Sequence, residues 1–544
     1  MEPLPCKYRS VAPRQLLNLT ALVFLIVSLR SEHATTGDSL PLRWMDFHEI
    51  VRLSATERNR LRRETGISDQ ELREVERVDR DVIYRVPVHY RAALQDGDYR
   101  IVGDPPFRFI DPDISVRHLS QDLRVWMSGY KDALLVEKIL FALAERFPDI
   151  TRLETIGQTH EGRPILALKI ARNPAEQRNR PTVLLAGAHH GNEPLSVDYV
   201  LDFAYFLLYG TPAFEEEEGV IARSFRETFY RQTNAVGTEF FRQREHEDIL
   251  DNFVIWCVPL VNADGLDSFW YRNVYSGRKN ARDTTAPPGW NKEDGVDLNR
   301  NYPYQWDSGY EGSSSGEGRS LYFRGPTPAS EPEVAAIMQL AERERFALAL
   351  SFHCYATKIL VPYTAEEATN PRPHVAWRLG QQLARAGISN RPDRDYVAVK
   401  NLYAVDGTDQ DFLFHRYGTL AFIVEGSYLS PDYEPFGRLS IRGVRPIILR
   451  ALQAFREGPV VTVYTTDEES QPLTAVVTIE EYDYYEGESF ETRPRTGRFD
   501  FLLERPGVVT VQANRDGYLA ARQRVQCNGG ACEAHLKLTP VSSR

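Results

Sequence analysis

Cysteine is scarce in this chain, with 5 residues among 544. So few thiols exclude a fold that is held together mainly by disulfides. Positive charge is not in excess either, because 65 Lys and Arg residues face 76 Asp and Glu residues and leave a formal net charge of −11. This balance argues against nucleic acid as a partner, since binding to phosphates needs a basic surface. Apolar residues make up 42% of the chain, which is ordinary for a globular protein and argues against a chain without a packed core.

Long hydrophobic runs are also missing, and none reaches the ~20 residues that a membrane-spanning helix needs. The longest run, Leu16–Leu29, has 14 residues and follows the basic residues Lys7, Arg9 and Arg14. This arrangement is typical of an export signal, which we place at residues 1–34, with an uncleaved membrane anchor as the alternative. We therefore expect an exported protein, secreted or periplasmic, without a stable membrane span in its mature form. The signal cleavage site and the oligomeric state stay open.

Apolar periodicity divides the remaining chain into three parts. Residues 35–117 are highly charged, contain a helical pattern around Ser54–Glu76, and form an N-terminal extension that is either a propeptide or a packing arm. Residues 118–457 alternate amphipathic helices with buried apolar strands, which predicts an α/β fold with a mixed, mostly parallel sheet flanked by helices on both faces. From residue 458 to 544 the period changes to two, which predicts a small all-β sandwich. Cys527 and Cys532 flank a turn there, and both a disulfide and two free thiols fit that spacing.

The helices and strands of the α/β part follow from the spacing of its apolar residues. The predicted helices are Lys131–Phe147, Leu195–Tyr209, Glu331–Glu342, Val375–Ala386 and Ile441–Phe455. The predicted strands are Pro164–Ile170, Thr182–Ala186, Phe253–Val258, Phe346–Phe352 and Leu420–Val424.

Polar residues with metal-binding or acid–base chemistry follow three of these strands. His190 and Glu193 lie just after Thr182–Ala186, at a His-x-x-Glu spacing that brings an imidazole and a carboxylate toward one ion on a tight turn. That spacing is a weak signal by itself, and an ordinary surface histidine is the alternative. His353 and Glu425 end two further buried strands, and the carboxyl ends of strands line the site in open α/β sheets. Two histidines, a carboxylate and an open position are typical of a catalytic zinc site.

The combination of motifs over residues 118–457 resembles the zinc metallocarboxypeptidases of the pancreatic carboxypeptidase A type, the funnelins or peptidase family M14. The motifs occur in the order of that family, and they are His190-x-x-Glu193, Asn262-Ala-Asp-Gly, Arg278-Lys, Gly295-Val-Asp-Leu-Asn299-Arg300-Asn, Tyr322-Phe-Arg-Gly-Pro with Ser330-Glu-Pro-Glu, Ser351-x-His353-x-Tyr, Leu402-Tyr403 and Glu425. The last 85 or so residues resemble the transthyretin-like domain of regulatory carboxypeptidases.

This resemblance implies one Zn²⁺ per chain, held by His190, Glu193 and His353. It also implies that Asp297 accepts a hydrogen bond from His190 and fixes its tautomer. Glu425 would act as general base on a zinc-bound water and then as general acid.

Further roles implied by the resemblance concern the substrate. Asn299 and Arg300 would bind its terminal carboxylate, Arg278 would stabilise the oxyanion on the scissile carbonyl, and Tyr403 would close over it. Gln410 would form the floor of the side-chain pocket. The implied function is hydrolysis of the C-terminal peptide bond of peptides or proteins.

The preferred C-terminal residue follows from the charge of that pocket. Gln410 and the wall position Thr364 are both neutral, and a buried cation without an anionic partner is costly, so we expect removal of neutral residues. Val405 and Leu360 would add apolar wall. Glu366 and Glu367 lie close by in sequence, and either carboxylate, if it turned into the pocket, would give a preference for C-terminal Lys or Arg.

Two other functions remain as alternatives. One is a zinc amidase of the same fold that acts on cell-wall peptides or acylated amino acids, and the other is an inactive binding protein that uses its β-sandwich. The complete set of metal ligands, Arg278, Tyr403 and Glu425 argues against the inactive protein. Two features depart from the family pattern, namely Gly426, where many members have an apolar residue, and the long insertion Thr211–Asp251.

Overall fold

The structure is a computed structural model, and it describes residues 126–541 with gaps at 175–179, 212–244, 272–276, 286–292, 355, 370–373, 391–393, 401–402, 428–432 and 434–436. Toward the N-terminus it describes residues 48–67, 72–78, 81–87 and the positions 93, 94, 97, 99–101 and 119. The predicted signal at residues 1–34 and most of the insertion Thr211–Asp251 lie outside the described residues. Among the described helices, none is both long and apolar enough to cross a membrane.

The N-terminal extension contains an antiparallel sheet in the order β2-β3-β1-β4. Its elements are β1 (His48–Leu53), α1 (Ala55–Thr65), β2 (Arg73–Val78), β3 (Asp81–Pro87) and β4 (Arg100–Ile101). The helix predicted over Ser54–Glu76 is therefore wrong in its second half. Ser54 and Glu57 form a capping box at the start of α1, and Gly66 ends it with a φ of 74°, a left-handed conformation that glycine adopts without strain.

The central sheet has eight strands in the order β11-β10-β12-β9-β7-β8-β6-β5. Its strands are β5 (Thr151–Gln158), β6 (Pro164–Ile170), β7 (Thr182–Gly187), β8 (Val254–Val258), β9 (Leu348–His353), β10 (Lys358–Leu360), β11 (Val397–Val399) and β12 (Leu420–Glu425). The α-helices around it are α2 (Ala133–Arg146), α3 (Leu195–Tyr209), α4 (Glu245–Asn252), α5 (Ala263–Tyr271), α6 (Pro332–Glu344), α7 (Val375–Ala386), α8 (Asp409–Tyr417) and α9 (Arg438–Glu457).

The middle of this sheet is parallel and its two sides are antiparallel. Strands β12, β9, β7 and β8 run parallel to one another, whereas β5 and β6 on one side are antiparallel to their neighbours. On the other side β10 pairs antiparallel with β12 and parallel with the edge strand β11. The predicted mixed sheet of an α/β fold is confirmed. Every residue of β7 and β9 is buried, as is nearly all of α3, which explains why these segments are continuous apolar runs.

The C-terminal part is all-β, as predicted, and consists of two sheets with the orders β16-β13-β19 and β15-β14-β17-β18. Its strands are β13 (Val460–Thr466), β14 (Val476–Ile479), β15 (Phe490–Glu491), β16 (Arg498–Leu502), β17 (Gly507–Asn514), β18 (Ala521–Cys527) and β19 (Ala531–Lys537). Cys527 and Cys532 form a disulfide across the turn between the last two strands, with their Cα atoms 5.2 Å apart. The buried rings of Phe490, Phe499 and Phe501 pack against one another.

Candidate active site

The sheet brings three polar strand ends to one edge. Strand β9 lies between β7 and β12 and runs parallel to both. His190 and Glu193 follow β7, His353 is the last residue of β9, and Glu425 is the last residue of β12. The three carboxyl ends of the strands therefore place these side chains together.

Gly191 allows the turn after β7 to approach α5 closely. A Cβ atom at this position would lie 2.1 Å from the carbonyl carbon of Gly265 and 2.1 Å from the backbone nitrogen of Leu266. Both contacts are to backbone, which cannot move aside as a side chain can. Only glycine fits here, and the turn places His190 and Glu193 on either side of it.

Three metal-binding atoms meet at this turn. His190 Nδ1 lies 2.9 Å from Glu193 Oε1, and His353 Nδ1 lies 3.0 Å from Glu193 Oε2. The Nδ1 atoms of the two histidines are 3.1 Å apart. All three side chains are nearly inaccessible to solvent. Two ring nitrogens that face each other and one carboxylate are a donor set that zinc favours, so these residues fit the ion that the sequence predicts.

The charge of Glu193 depends on its two histidine neighbours. Burial alone raises the pKa of the Glu193 carboxyl, but the imidazoles of His190 and His353 outweigh it and hold the pKa below its usual range. Cys354 also donates its backbone N–H to Glu193 Oε2 at 3.1 Å. The carboxylate is thus ionised and oriented, as a metal ligand must be.

Asp297 connects the metal-binding residues to the polar loops. Its Oδ1 lies 3.1 Å from His190 Nε2 and accepts the backbone N–H of Asn299, also at 3.1 Å. Its Oδ2 accepts from Arg278 Nε at 2.8 Å and lies 2.7 Å from Arg278 Nη2. Although burial opposes ionisation, the guanidinium of Arg278 keeps the pKa of Asp297 well below its usual range. One carboxylate therefore bonds to a histidine of the metal set, an arginine and the turn that carries Arg300.

Arg278 lies beside the metal-binding atoms as well as beside Asp297. Its Nη1 is 3.4 Å from His190 Nδ1 and 3.9 Å from Glu193 Oε1. Burial disfavours its charge, yet the Asp297 carboxylate raises the pKa of Arg278 above its usual value. The guanidinium is thus a fixed positive charge beside the metal-binding atoms.

Glu425 lies in the same pocket and bonds to no cationic side chain in the described part of the chain. Burial, and then the neighbouring Glu193 carboxylate, raise the pKa of Glu425 to about 8. Its Oε2 atom is shielded from solvent and has no hydrogen-bond partner among the described residues. A carboxyl group with an unpaired oxygen and a pKa near neutrality suits proton transfer.

Arg300 and Asn299 lie on a short 3₁₀ turn, Leu298–Arg300, and both are buried. Arg300 donates Nε to the Ser313 carbonyl at 2.9 Å and Nη2 to the Tyr403 hydroxyl at 3.2 Å. Asn299 Oδ1 accepts the backbone N–H of Asp409 at 2.9 Å, which directs the amide nitrogen of Asn299 away from that helix. Tyr403 is half exposed, so its ring lies at the mouth of the site.

The two residues predicted to shape the side-chain pocket contact each other. Gln410 Nε2 donates to Thr364 Oγ1 at 2.8 Å, and both side chains are buried. The Oε1 atom of Gln410 has no partner among the described residues. Thr364 also donates its backbone N–H and its hydroxyl to Asp411 at 2.9 Å each. Val405 and Leu360 are buried as well, whereas Glu366 and Glu367 are exposed.

The sequence did not reveal a buried network behind the metal-binding atoms. His189 Nε2 lies 2.9 Å from the Tyr302 hydroxyl and 3.7 Å from Asp409 Oδ2, and its ring stacks on that of His353. Ser351 Oγ lies 3.3 Å from His189 Nδ1 and 3.4 Å from His353 Nε2. Burial lowers the pKa of His189 to about 4, so this ring is neutral. The only sign of this network in the sequence is the adjacent pair His189 and His190, and that pair does not identify the residues to which His189 bonds.

A second group of potential metal ligands comprises His160, Glu331 and Glu333. Here Asn280 Nδ2 donates to Glu331 at 2.8 Å and to Glu333 at 3.1 Å, and Arg282 forms an ion pair with Glu331 at 2.9 Å. Protein donors already lie between and beside these carboxylates. This group is therefore a much poorer candidate for binding a cation than the set around Glu193.

Comparisons with known proteins agree on one family. The model of the family described as zinc carboxypeptidase, peptidase M14, matches residues 136–430, which is more than half of the chain. A protein named metallocarboxypeptidase A from Trichophyton tonsurans is 28% identical over 273 residues, which cover 48% of this chain and 55% of that protein. A protein named inactive metallocarboxypeptidase ECM14 from Ajellomyces capsulatus (strain H143) is 24% identical over 257 residues, covering 45% of this chain and 36% of that protein.

The chain thus spans about half the length of curated relatives that it matches, or less. Among solved structures, the carboxypeptidase A from Helicoverpa armigera aligns with a TM-score of 0.47 and 20% identity. That alignment covers 75% of this chain and 98% of the insect protein.

Proposed function

The chain belongs to the zinc carboxypeptidase family, peptidase M14, and from this premise we propose that it is a zinc-dependent metallocarboxypeptidase that hydrolyses the C-terminal peptide bond of peptides or proteins. One observation supports this above all others. Asp297 bonds at once to His190 of the metal-binding set, to Arg278 and to the turn that carries Asn299 and Arg300. This carboxylate would thereby fix the metal site relative to the site for the terminal carboxylate of a substrate.

Zinc would be held by His190, Glu193 and His353, whose donor atoms lie about 3 Å from one another. When bound there, zinc supplies Lewis-acid polarisation of a carbonyl and lowers the pKa of water at the site. The Asp297 carboxylate accepts from His190 Nε2 and so keeps the Nδ1 atom of that ring directed at the ion.

The protein's own groups then handle protons and charge. Glu425 would take a proton from water as the carbonyl carbon is attacked and later give it to the leaving amine. Arg278 would stabilise the negative charge that develops on the carbonyl oxygen, since its guanidinium is already fixed by Asp297. Neither group must reorganise at the moment of reaction.

Restriction to the last residue of a chain would come from the buried Arg300. A free α-carboxylate can pair with its guanidinium, and Asn299 Nδ2 and the Tyr403 hydroxyl add hydrogen bonds. An internal peptide bond offers no such charge. The name of one relative says that it is inactive, so activity in this chain is supported by its own metal set and by Glu425 rather than by membership alone.

We further propose that neutral C-terminal residues are removed in preference to Lys and Arg. Gln410 and Thr364 are neutral and contact each other, and Val405 and Leu360 are apolar and buried. Matched peptides that end in Phe, Leu, Gln, Lys and Arg test this through kcat/KM. Apolar fit supplies at most ~100-fold discrimination, so a larger preference for Lys or Arg would contradict it.

The function itself is tested by mass spectrometry of a random peptide mixture incubated with the zinc-loaded protein. Loss of single residues from the C-terminal end is expected. The Glu425→Gln protein, purified in the same way, controls for a contaminating peptidase. Internal cleavage, or release of acyl groups with intact peptides, would favour an endopeptidase or the amidase alternative and contradict the proposal.

Export of the protein is also proposed. Two features support it, namely the basic and apolar pattern of residues 1–34 and the disulfide between Cys527 and Cys532, a bond that persists in oxidising compartments. A fusion of residues 1–34 to a reporter protein would be exported if this is right and retained inside the cell if it is wrong.

A further inference from the structure

Tyr322 lies beside both arginines of the site. The guanidinium carbon of Arg278 is 5.3 Å from the centre of the Tyr322 ring, and that of Arg300 is 5.8 Å from it. Both distances are within the range in which a cation is attracted to the face of an aromatic ring. One ring thus contacts the two positive charges that the proposed function assigns to the scissile carbonyl and to the terminal carboxylate.

The backbone around Tyr322 is firmly held. Its carbonyl accepts the N–H of Ser315 at 2.9 Å, and the next residue, Phe323, accepts the N–H of Asp297 at 2.9 Å. The buried Lys279 donates to the carbonyls of Gly318 and Ser320 at 2.9 Å each. The backbone that carries the ring is therefore fixed relative to Asp297, the residue that also bonds to Arg278.

The two arginines differ in what else holds them. Arg278 forms a hydrogen-bonded ion pair with one oxygen of Asp297, Oδ2. Arg300 has no carboxylate partner among the described residues and bonds to two carbonyls and the Tyr403 hydroxyl. The ring of Tyr403 also lies 5.8 Å from the Arg300 guanidinium carbon. Arg300 is thus bordered by two aromatic rings and keeps its charge available for a substrate anion.

We propose that Tyr322 is a positioning residue that orients Arg278 and Arg300 together and so sets the distance between the carboxylate-binding and carbonyl-binding charges. This inference rests on the proposed function, because it assigns a substrate group to each arginine. An aromatic ring is suited to the task, since it attracts both cations without neutralising either of them. A carboxylate in the same place would neutralise one of the two charges.

The test replaces the ring and keeps the fold. Tyr322 is partly exposed, with 39% of its surface accessible, so its replacement leaves no large cavity. Tyr322→Leu removes the ring electrons, Tyr322→Phe keeps them, and Tyr322→Ala serves as a second variant without a ring. Tyr485→Leu, at a tyrosine of the β-sandwich that is 43% exposed, is the matched control.

Loss of both contacts is expected to lower kcat/KM for peptides with a free C-terminal carboxylate by about 5- to 30-fold in Tyr322→Leu. The loss should divide between a higher KM, through Arg300, and a lower kcat, through Arg278. Tyr322→Phe should recover kcat/KM to within about 3-fold of the parent, because the ring face is kept. The ratio of acid to amide cleavage should fall in Tyr322→Leu and not in Tyr485→Leu.

Binding of N-acetylphenylalanine and of its amide, measured by calorimetry, separates this inference from the proposed function. If the parent binds the acid better than the amide and Tyr322→Leu loses that preference, the inference stands even when turnover is slow. If the parent cleaves peptides but Tyr322→Leu and Tyr322→Ala keep the parent's KM, kcat and binding preference, the inference is wrong. Equal losses in Tyr322→Phe and Tyr322→Leu would also overturn it, because the hydroxyl rather than the ring would then matter.

Discussion

Glu425 and His353 are partners in register at the ends of the adjacent parallel strands β12 and β9. Directly paired residues of neighbouring strands point to the same face of a sheet, so the backbone ladder places the proposed base beside a metal ligand. Just beyond the strand end, Gly426 donates its N–H to the His353 carbonyl at 2.8 Å and extends that pairing. The placement of Glu425 beside His353 is thus a property of the sheet rather than of a loop.

Replacing Glu425 by Gln should keep zinc and peptide binding but remove the proton acceptor. We expect kcat to fall by at least ~10²-fold, the usual lower bound for a general base, with KM little changed. Steady-state kinetics and elemental analysis of zinc in the same samples provide the measurement. Glu468→Gln, at an exposed glutamate of the β-sandwich, is the control. Near-normal turnover in Glu425→Gln would remove this residue from the mechanism.

Arg300→Ala should weaken binding of a free C-terminal carboxylate. A hydrogen bond to a charged group contributes about 1.5–3 kcal/mol, so kcat/KM should fall by about 10- to 150-fold for acids and much less for amidated peptides. Paired acid and amide substrates measure the difference. Arg319→Ala, at an exposed arginine, should leave the ratio unchanged. Equal cleavage of acid and amide by the parent would indicate an endopeptidase instead.

Metal analysis should find one zinc ion per chain, lost in His353→Ala and retained in His535→Ala, where the histidine is exposed. Because the ion binds only the folded site, zinc at about 100 times its Kd should add about 2.7 kcal/mol to the free energy of unfolding. A chelator should reverse that gain and abolish activity. If zinc is retained in His190→Ala but lost in His189→Ala, then His189 rather than His190 is the metal ligand and the proposed ligand set is wrong.

Several elements of the α/β part were predictable because they are either buried throughout or bury one apolar face. The strand Pro164–Ile170 and the helices Leu195–Tyr209 and Val375–Ala386 have the bounds that periodicity predicts. The short strands β10 and β11 have three residues each, too few to show a period. Strand β5 at the sheet edge alternates poorly in burial, so its sequence lacks the strand signal.

The N-terminal extension shows how tertiary pairing overrides composition. Arg73–Val78 reads Arg-Glu-Val-Glu-Arg-Val, which suits an exposed helix as well as a strand. Pairing with β3 makes it a strand, and local sequence carries no signal for that partner.

Local spacing predicts that His190 and Glu193 lie together, because they are three residues apart. Other contacts of the site join distant segments, such as Gln410 with Thr364 and His189 with Tyr302. No pattern of single residues specifies such pairs. The resemblance to a family implies part of them. Tyr322 lies in one of the family motifs, but the sequence implies no role for it, because its neighbours Arg278 and Arg300 come from distant loops.

Gly426 is the departure from the family pattern for which the structure gives a reason. A Cβ atom there would lie 2.4 Å from Cε2 and 2.5 Å from the hydroxyl of Tyr199. Gly426→Ala should therefore cost about 1–3 kcal/mol in free energy of unfolding and lower kcat, because Glu425 is the adjacent residue. Denaturant unfolding and kinetics measure both effects.

The control for this steric explanation is Gly507→Ala, where a Cβ atom would meet nothing within 4 Å. In the double variant Gly426→Ala with Tyr199→Leu, part of the stability should return, so the two costs should not add. Additive costs would show that Tyr199 is not what excludes a side chain at position 426.

Asp411 should make stability depend on pH. Burial raises its pKa from 3.8 to about 6, although hydrogen bonds from the backbone N–H groups of Thr364 and Ala365 oppose that rise. Since the folded protein holds this proton more tightly than the unfolded chain, the contribution is complete below about pH 4 and is lost as pH rises through 6. The free energy of unfolding of the parent relative to Asp411→Asn should fall by about 3 kcal/mol between pH 3.5 and 7.5, as measured by urea unfolding. The exposed Asp516, replaced by Asn, should give a flat difference over the same range. A difference that is also flat for Asp411→Asn, or that rises with pH, would mean that this carboxyl is ionised and well solvated beneath the pocket.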